Sequence, residues 1–260
     1  MSTTTPHRAA VHAQFDPRAA AYLSSSVHAA GPDLQRAAER VAALTPRPTL
    51  ALDLGCGAGH LSFALAPAVG SICALDPSAA MLEQVKSEAA ARSLHNVATL
   101  LGSAEALPFA DASVDLVATR YSAHHWTALD AAIDEIARVL APGGQLLVID
   151  VEAPADALVD THLQAIELLR DRSHVRNRSD AEWRALLRRA GVDAPSVERW
   201  DTRLEFAAWI ARMHTPPAKA AVIRDMLDEA PAEVRAALRV EPCGSFHVST
   251  ALWWGQRAAA

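Results

Sequence analysis

The chain is poor in aromatic residues and in cysteine. Only 5% of its 260 residues are Phe, Trp or Tyr, and its three cysteines are Cys56, Cys73 and Cys243. An odd number of widely spaced cysteines with no CxxC pair excludes a disulfide framework and reads as free thiols in a reducing cytosol. Long apolar runs are missing too. The longest uncharged apolar stretch, Leu61 to Leu75, is interrupted by Pro67 and Gly70 and falls short of the ~20 residues of a membrane-spanning helix. Met1–Pro6 is polar and leads into His7 and Arg8, so no secretory leader is expected. Nor is there an excess of positive charge: 24 Lys+Arg stand against 30 Asp+Glu, a net charge of −6, which offers no footprint for a nucleic-acid backbone. Elimination leaves a cytoplasmic protein with a small-molecule partner. Tryptophan, finally, is absent from the first 125 residues; all six lie between Trp126 and Trp254.

What is present in quantity is alanine, 57 of 260 residues, so the 51% hydrophobic content overstates the bulky apolar share. That composition suits a helix-rich α/β protein. From Arg8 to Leu44 the pattern is helical, with breaks at Asp16-Pro17 and Gly31-Pro32 and a second helix from about Asp33 that places Leu34, Ala37, Ala38, Val41 and Leu44 on one face. Thr45-Pro-Arg-Pro48 then imposes an extended linker.

Strands and helices alternate from Thr49 onward. Strands are expected at 50–54, 71–75, 96–101, 114–119 and 145–151. Helices are expected at 58–68, 78–92 and 127–140, the last capped by Thr127. Such apolar strands separated by helices imply a parallel sheet covered on both faces. Beyond Val151 the rhythm loosens. Helices are expected at 156–170, from the capping box Ser179-Asp-Ala-Glu182 to about Ala190, at 204–213 and at 217–229, with further strands at 196–200 and 245–254. No repeat or low-complexity linker divides the chain, which reads as one domain carrying insertions. Residues 1–48 are N-terminal helices that form part of a cap, and 49–151 a cofactor-binding core. Residues 152–260 supply the rest of the core sheet and helical insertions that cover an acceptor site.

The chemistry is concentrated in Leu50-Ala-Leu-Asp53-Leu-Gly55-Cys-Gly57-Ala-Gly59-His60. A strand feeding a helix through Gly55 and Gly57 lets the backbone approach a ligand and exposes helix N–H groups to it. Asp76 follows Gly55 by 21 residues at the end of the second strand, where a carboxylate can accept both hydroxyls of a ribose. Two nucleotide cofactors fit this outline. The dinucleotide pattern G-x-G-x-x-G would place Gly or Ala at position 60, which is His60, and Asp53 would repel a pyrophosphate. A carboxylate there suits an ammonium or sulfonium group, so the spacing argues for S-adenosylmethionine over NAD; a dehydrogenase is the lesser alternative.

The chain resembles the class I S-adenosylmethionine-dependent methyltransferases, in the branch that includes ubiquinone/menaquinone C-methyltransferases and malonyl-carrier-protein O-methyltransferases. Four segments carry the resemblance in order: Leu52-Asp-Leu-Gly-Cys-Gly-Ala-Gly59, Ala74-Leu-Asp-Pro-Ser78, Gly102-Ser-Ala-Glu-Ala-Leu-Pro-Phe109 through Asp115-Leu-Val117, and Arg138-Val-Leu-Ala-Pro-Gly-Gly144. The resemblance implies a Rossmann-like, seven-stranded, mostly parallel sheet with its last strand antiparallel and helical cap insertions. It also implies that Asp53, Gly55, Cys56 and Gly57 line the methionine end of S-adenosylmethionine, that Asp76 and Pro77 meet its ribose, and that Met81 packs on the adenine. Ser103, Ala104 and Glu105 would sit at the adenine edge, with Ser103 standing where the family usually has Asp. Arg120 is placed near the cofactor carboxylate. Gln14-Phe-Asp-Pro-Arg-Ala-Ala-Ala-Tyr22 is similar to the family's pre-core helix, whose Tyr, here Tyr22, closes over the cofactor.

Tyr121-Ser-Ala-His124-His125-Trp126 follows the fourth strand, at the carboxyl edge where open α/β sheets place ligands. The Asp/Asn-Pro-Pro-aromatic motif of nucleic-acid base amino-methylation is missing there. Methyl transfer from a sulfonium requires alignment and desolvation of the nucleophile, and a base only if the acceptor is protonated. His124 or His125 can then serve as catalytic base, or one of them packs beneath the following helix. Adjacent histidines point apart and no carboxylate lies at helical ligand spacing, so no metal site is expected. Arg170, Arg172, His174, Arg176 and Arg178 form a basic cluster that is either a solvated face or a contact for an anionic substrate or carrier protein. The expected function is methyl transfer to an O, N or C nucleophile of a small molecule. The alternatives are malonyl-carrier-protein O-methylation and cofactor binding without turnover. The tryptophan skew places the acceptor pocket in the second half of the chain.

Overall fold

The computed structural model describes residues 7, 11, 14, 31–193 and 195–259. Tyr22 and most of the expected pre-core helix lie outside the described residues. Helix α1, Pro32–Ala42, opens on a proline in its first turn and buries Leu34, Ala37 and Val41, where each fully buried Leu or Val is worth on the order of 2 kcal/mol. Ala38 is only half-buried and Leu44 lies past the helix end.

The core follows as β1 Leu50–Leu54, α2 His60–Leu65, β2 Ser71–Asp76, α3 Ala79–Ala91, β3 Val97–Leu101, β4 Val114–Arg120, α4 Leu129–Val139 and β5 Leu140–Glu152. The second half adds α5 Ala157–Arg170, α6 Asp180–Arg189, β6 Ser196–Leu204, α7 Phe206–Arg212, α8 Pro217–Asp228, α9 Ala232–Ala237 and β7 Phe246–Gln256. The seven strands form one sheet in the order β3-β2-β1-β4-β5-β7-β6. β1 to β5 pair in parallel, and β7 runs antiparallel to both β5 and β6. The sheet order reverses beside β1, and its carboxyl edge there is the crevice where ligands of open α/β sheets bind.

Both faces are covered, as the apolar strands require. Leu52, Leu54, Leu146 and Val148 face Ile133, Ile136 and Trp183, while Ala51, Leu147 and Ile149 face Leu34, Val41, Leu61 and Leu65. A third cluster, with Val159, Leu163, Trp209, Ile223, Leu227 and Phe246, joins α5, α7, α8 and α9 to the start of β7. No described helix is long and apolar enough to cross a membrane. The three cysteines are free.

Several local expectations are corrected. Thr127 does not cap α4, which starts at Leu129 behind Ala128 with no side-chain cap. β5 reaches back through Pro142-Gly143-Gly144 to Leu140, because Val114 pairs with Leu140 before the register shifts. β6 runs on to Leu204, so the next helix begins at Phe206, with Glu205 accepting from the Ala207 and Ala208 amides. The Ser179–Glu182 capping box forms as expected.

Candidate functional site

The glycine turn after β1 is held from two sides. The amides of Gly55 and Cys56 donate to the Leu75 carbonyl at 2.8 and 3.1 Å. Asp76, at the end of β2, accepts from the Gly57 amide at 2.9 Å and from the Ser78 amide at 2.8 Å. Gly55, Gly57 and Gly59 all have positive φ (+65°, +51° and +86°), the left-handed region that glycine enters without a Cβ penalty. Their surroundings differ. A Cβ on Gly55 would lie 1.8 Å from Ser122 Oγ, and one on Gly59 2.8 Å from the Phe63 ring and 2.9 Å from Val85. A Cβ on Gly57 would meet nothing within 4 Å, because that position opens into a cavity.

This cavity, about 460 Å³, lies over the carboxyl edge of β1, β2 and β4 and beneath the second-half helices, a size within the usual range for small-molecule sites. Asp53, Gly55, Cys56, Gly57, Asp76 and Pro77 line it, as do Met81, Ser103, Ala104, Glu105, Arg120, His124 and His125. The structure thus brings together the described residues that the sequence assigned to the cofactor and the His124-His125 pair; of the basic cluster only Arg170 and His174 join them. Its donors and acceptors suit a cationic adenosyl ligand: a carboxylate at each end of the glycine turn, an open backbone at Gly57, and the buried thioether of Met81.

Asp53 is buried and accepts from Ser62 Oγ at 2.6 Å. Burial raises its pKa to about 7 despite that hydrogen bond. Arg120 is held by Asp33 of α1, Nε to Oδ2 at 2.6 Å, with both side chains 5% exposed. This ties the N-terminal helix to the end of β4. Cys56 lies within the turn, and burial, with Asp76 and Asp53 nearby, pushes its thiol pKa well up. That excludes a thiolate nucleophile near neutral pH.

Three imidazoles gather at the other end of the cavity. His124 and His125 have ring centroids 4.2 Å apart, and His174 lies 5.7 Å from His124. His124 Nδ1 sits 2.6 Å from Asp150 Oδ1. Burial opposes charge on this ring, but the Asp150 carboxylate beside it leaves the pKa raised above the ordinary histidine value. His125 Nδ1 instead lies 3.0 Å from the Ser173 carbonyl, and burial together with neighbouring His124 lowers its pKa to about 4. The two adjacent histidines are therefore electrostatically opposite.

Sequence reasoning missed Asn177 and Thr250, which line the same cavity as Arg170 and His174 of the basic cluster and Trp209 of the second-half tryptophans. Their joining signal is tertiary: the Val175 and Arg176 amides donate to the His124 carbonyl at 2.8 and 3.2 Å, pinning the 171–178 segment over β4. The basic cluster is not a solvated face as a whole. Arg170 pairs with Glu167, Arg176 with Asp160, and Arg178 approaches Glu182 at 3.6 Å. Nor are the tryptophans mainly pocket walls. Trp183 and Trp253 pack together in the core, and of the six only Trp126 and Trp209 line the cavity. Among the described residues no group of His, Cys, Asp and Glu is arranged to hold a metal ion.

Residues 52–148 match the methyltransferase domain family. The chain is 43% identical to YafE of Escherichia coli over 74% of its own length and 93% of that protein. It is 34% identical to the uncharacterised methyltransferase YcgJ of Bacillus subtilis over 85% and 87% of the two chains. The crystal structure of YcgJ superposes with a TM-score of 0.82 over 88% of this chain and 99% of that one. The structure of BH2331 from Bacillus halodurans, 28% identical, superposes at 0.83 over 88% and 100%. With its glycine turn, the Asp76 carboxylate and these relatives, the chain belongs to the class I S-adenosylmethionine-dependent methyltransferases, in the branch of the ubiquinone/menaquinone C-methyltransferases and malonyl-carrier-protein O-methyltransferases, and S-adenosylmethionine is its cofactor.

Proposed function

We propose that this enzyme methylates a small molecule seated between the glycine turn and the second-half helices, with His124 taking a proton from the acceptor. The observation that carries this reading is the His124 Nδ1–Asp150 Oδ1 contact of 2.6 Å. An ionised carboxylate only accepts, so it fixes the proton on Nδ1 and leaves the Nε2 lone pair as the basic atom.

S-Adenosylmethionine supplies a methyl group activated on a sulfonium. Gly55, Cys56 and Gly57 would back its methionine part, with Asp53 and Arg120 facing its charged groups. Asp76 and Pro77 would meet the ribose, Met81 would pack on the adenine, and Ser103, Ala104 and Glu105 would border its edge. His124 Nε2 would take up the proton that the acceptor gives up, and the acceptor nucleophile would gain the methyl group as the methyl–sulfur bond breaks, with S-adenosylhomocysteine as the leaving group. The resulting imidazolium is stabilised by Asp150. His125, held neutral, cannot compete for that proton. The buried walls align the two reactants and exclude water, the main contribution a protein can make to an in-line displacement.

The cover is consistent with a small acceptor. Arg170, Arg176 and Arg178 are engaged by carboxylates of the same chain, which leaves little of the cluster for an acidic carrier protein. The malonyl-carrier-protein O-methyltransferase of Methylococcus capsulatus aligns over only 40% of this chain, and the ubiquinone/menaquinone C-methyltransferase of Rubrivivax gelatinosus likewise over 40%.

The test is to incubate the protein with methyl-labelled cofactor and separated small-molecule and protein fractions of a bacterial extract. Label is expected in the small-molecule fraction and lost in His124→Gln, with S-adenosylhomocysteine affinity retained. Label in carrier protein instead would overturn the reading.

A further inference from the structure

The 171–178 segment is tied down by its neighbours, yet two of its side chains, His174 and Asn177, each keep a nitrogen to spare. Gln164 of α5 accepts at Oε1 from the Asn177 amide at 3.0 Å, and donates from Nε2 to the Asn177 carbonyl at 3.0 Å and to Asp160 at 2.8 Å. A backbone N–H can only donate, so the orientation of the Gln164 amide is determined. His174 Nε2 lies 2.9 Å from the same Oε1 and must therefore carry the proton. The lone pair of the neutral ring is then on Nδ1, which no donor among the described residues reaches. Burial, with the nearby His124 and His125, lowers the His174 pKa to about 2, so the ring stays neutral across the working range.

Asn177 completes the arrangement. It is 2% exposed and lines the cavity, its backbone is clamped by Gln164, and its side-chain Nδ2 has no hydrogen-bond partner. A buried amide without a partner is costly and calls for an explanation. Arg178 Nε and Trp183 Nε1 share the condition but do not line the cavity. Asn177 and His174 thus both line the cavity, each with one side-chain hydrogen-bonding nitrogen to spare, a donor and an acceptor, and both are held by Gln164. Nearby walls are apolar: Val151, Leu204, Trp209 and Val248.

We propose that Asn177 and His174 form an acceptor-recognition clamp, positioned by Gln164, that grips a hydroxyl group on an otherwise apolar, uncharged acceptor molecule. The inference rests on the reading of this cavity as a small-molecule acceptor site. A hydroxyl satisfies both residues at once, donating to His174 Nδ1 and accepting from the Asn177 amide. A carboxylate or ether cannot donate to Nδ1, and an ammonium cannot accept from the amide. A site built around such a pair rejects the analogue that lacks the hydroxyl, because its own polar groups are then left unpaired.

The probes are 4-fluorophenol and 4-fluoroanisole, titrated by fluorine NMR into the full-length protein saturated with S-adenosylhomocysteine. The phenol is expected to bind about tenfold more tightly than the ether. Asn177→Leu and, separately, His174→Phe should abolish that preference while leaving ether binding and S-adenosylhomocysteine affinity within about twofold. Asn177→Ala serves if Asn177→Leu does not fold. Equal binding of both probes to the wild-type protein overturns the clamp but leaves a small-molecule pocket standing. Binding of neither, with S-adenosylhomocysteine still bound, overturns both the clamp and the small-molecule reading. A preference that survives both substitutions assigns the hydroxyl to other residues and also overturns the clamp.

Discussion

Arg120 and Asp33 form a buried ion pair that joins the last residue of β4 to the first turn of α1, Nε to Oδ2 at 2.6 Å. The Arg120 guanidinium also lies 4.7 Å from the Tyr121 ring centroid and lines the cavity. Helix α1 precedes the core in sequence but acts on the site through this pair.

Removing one partner strands a buried charge, a loss of about 3 kcal/mol or more. Asp33→Ala should therefore lower unfolding stability by about that amount in urea titrations, and should also weaken S-adenosylmethionine binding. A variant with unchanged binding would show that α1 is structural only.

The His124–Asp150 pair sets a pH expectation. His124 works as a base only when Nε2 is unprotonated, and its pKa is raised by Asp150 against the effect of burial. Methyl transfer to an acceptor that must lose a proton should therefore fall as pH drops through a value above 6.5, the ordinary histidine pKa. Asp150→Asn removes the charge, so the acidic limb should move to lower pH. The rate at pH 8 should fall about 100-fold or more, because an amide no longer enforces the Nδ1 tautomer. An unmoved limb would assign the titration to another group.

Much of this architecture was legible locally. Leu50–Leu54 and Ser71–Asp76 are short apolar runs bounded by prolines and glycines, and the Ser179–Glu182 box announces α6. Residues from Asp53 to Arg120 converge because a parallel sheet returns every strand end to one edge, which a spacing argument can anticipate. The acceptor side was not legible in this way. His174 and Asn177 reach the cavity only because a loop between two helices bonds to the His124 carbonyl and to Gln164, and neither bond has a sequence signature. Likewise α9, Ala232–Ala237, buries only Val234, too little apolar periodicity to announce a helix.

Asp53 yields a linkage prediction. Its folded pKa of about 7 lies above the ordinary carboxylate value near 3.8, so the folded state holds a proton that the unfolded state releases. Stability is lost as pH rises between those values. Asp53→Asn removes this dependence and should stabilise the cofactor-free protein above pH 7 by on the order of 2–4 kcal/mol. A bound cation favours the ionised carboxylate. S-Adenosylmethionine binding at pH 6.5 should therefore release a proton, measurable as a buffer-dependent calorimetric enthalpy, and Asp53→Asn should abolish the release. Buffer-independent wild-type binding would separate Asp53 from the cofactor's charge.

The last two glycines of the turn separate binding from folding. Gly57→Ala places a methyl group in open space, so its penalty for folding is confined to positive φ, about 1 kcal/mol. The methyl group nevertheless points into the cavity, where the proposed cofactor position lies. S-Adenosylhomocysteine affinity should drop by about 100-fold or more, with unfolding changed only slightly. Gly59→Ala meets Phe63 and Val85 at 2.8 and 2.9 Å, within a cluster that also buries Leu82 and Ala89. Overpacking there adds about 1–3 kcal/mol to the backbone penalty, so stability should fall well before affinity does. Paired urea unfolding and calorimetric titration of both variants should show opposite patterns. If Gly57→Ala loses stability but keeps affinity, the open face of the turn is not where the cofactor lies.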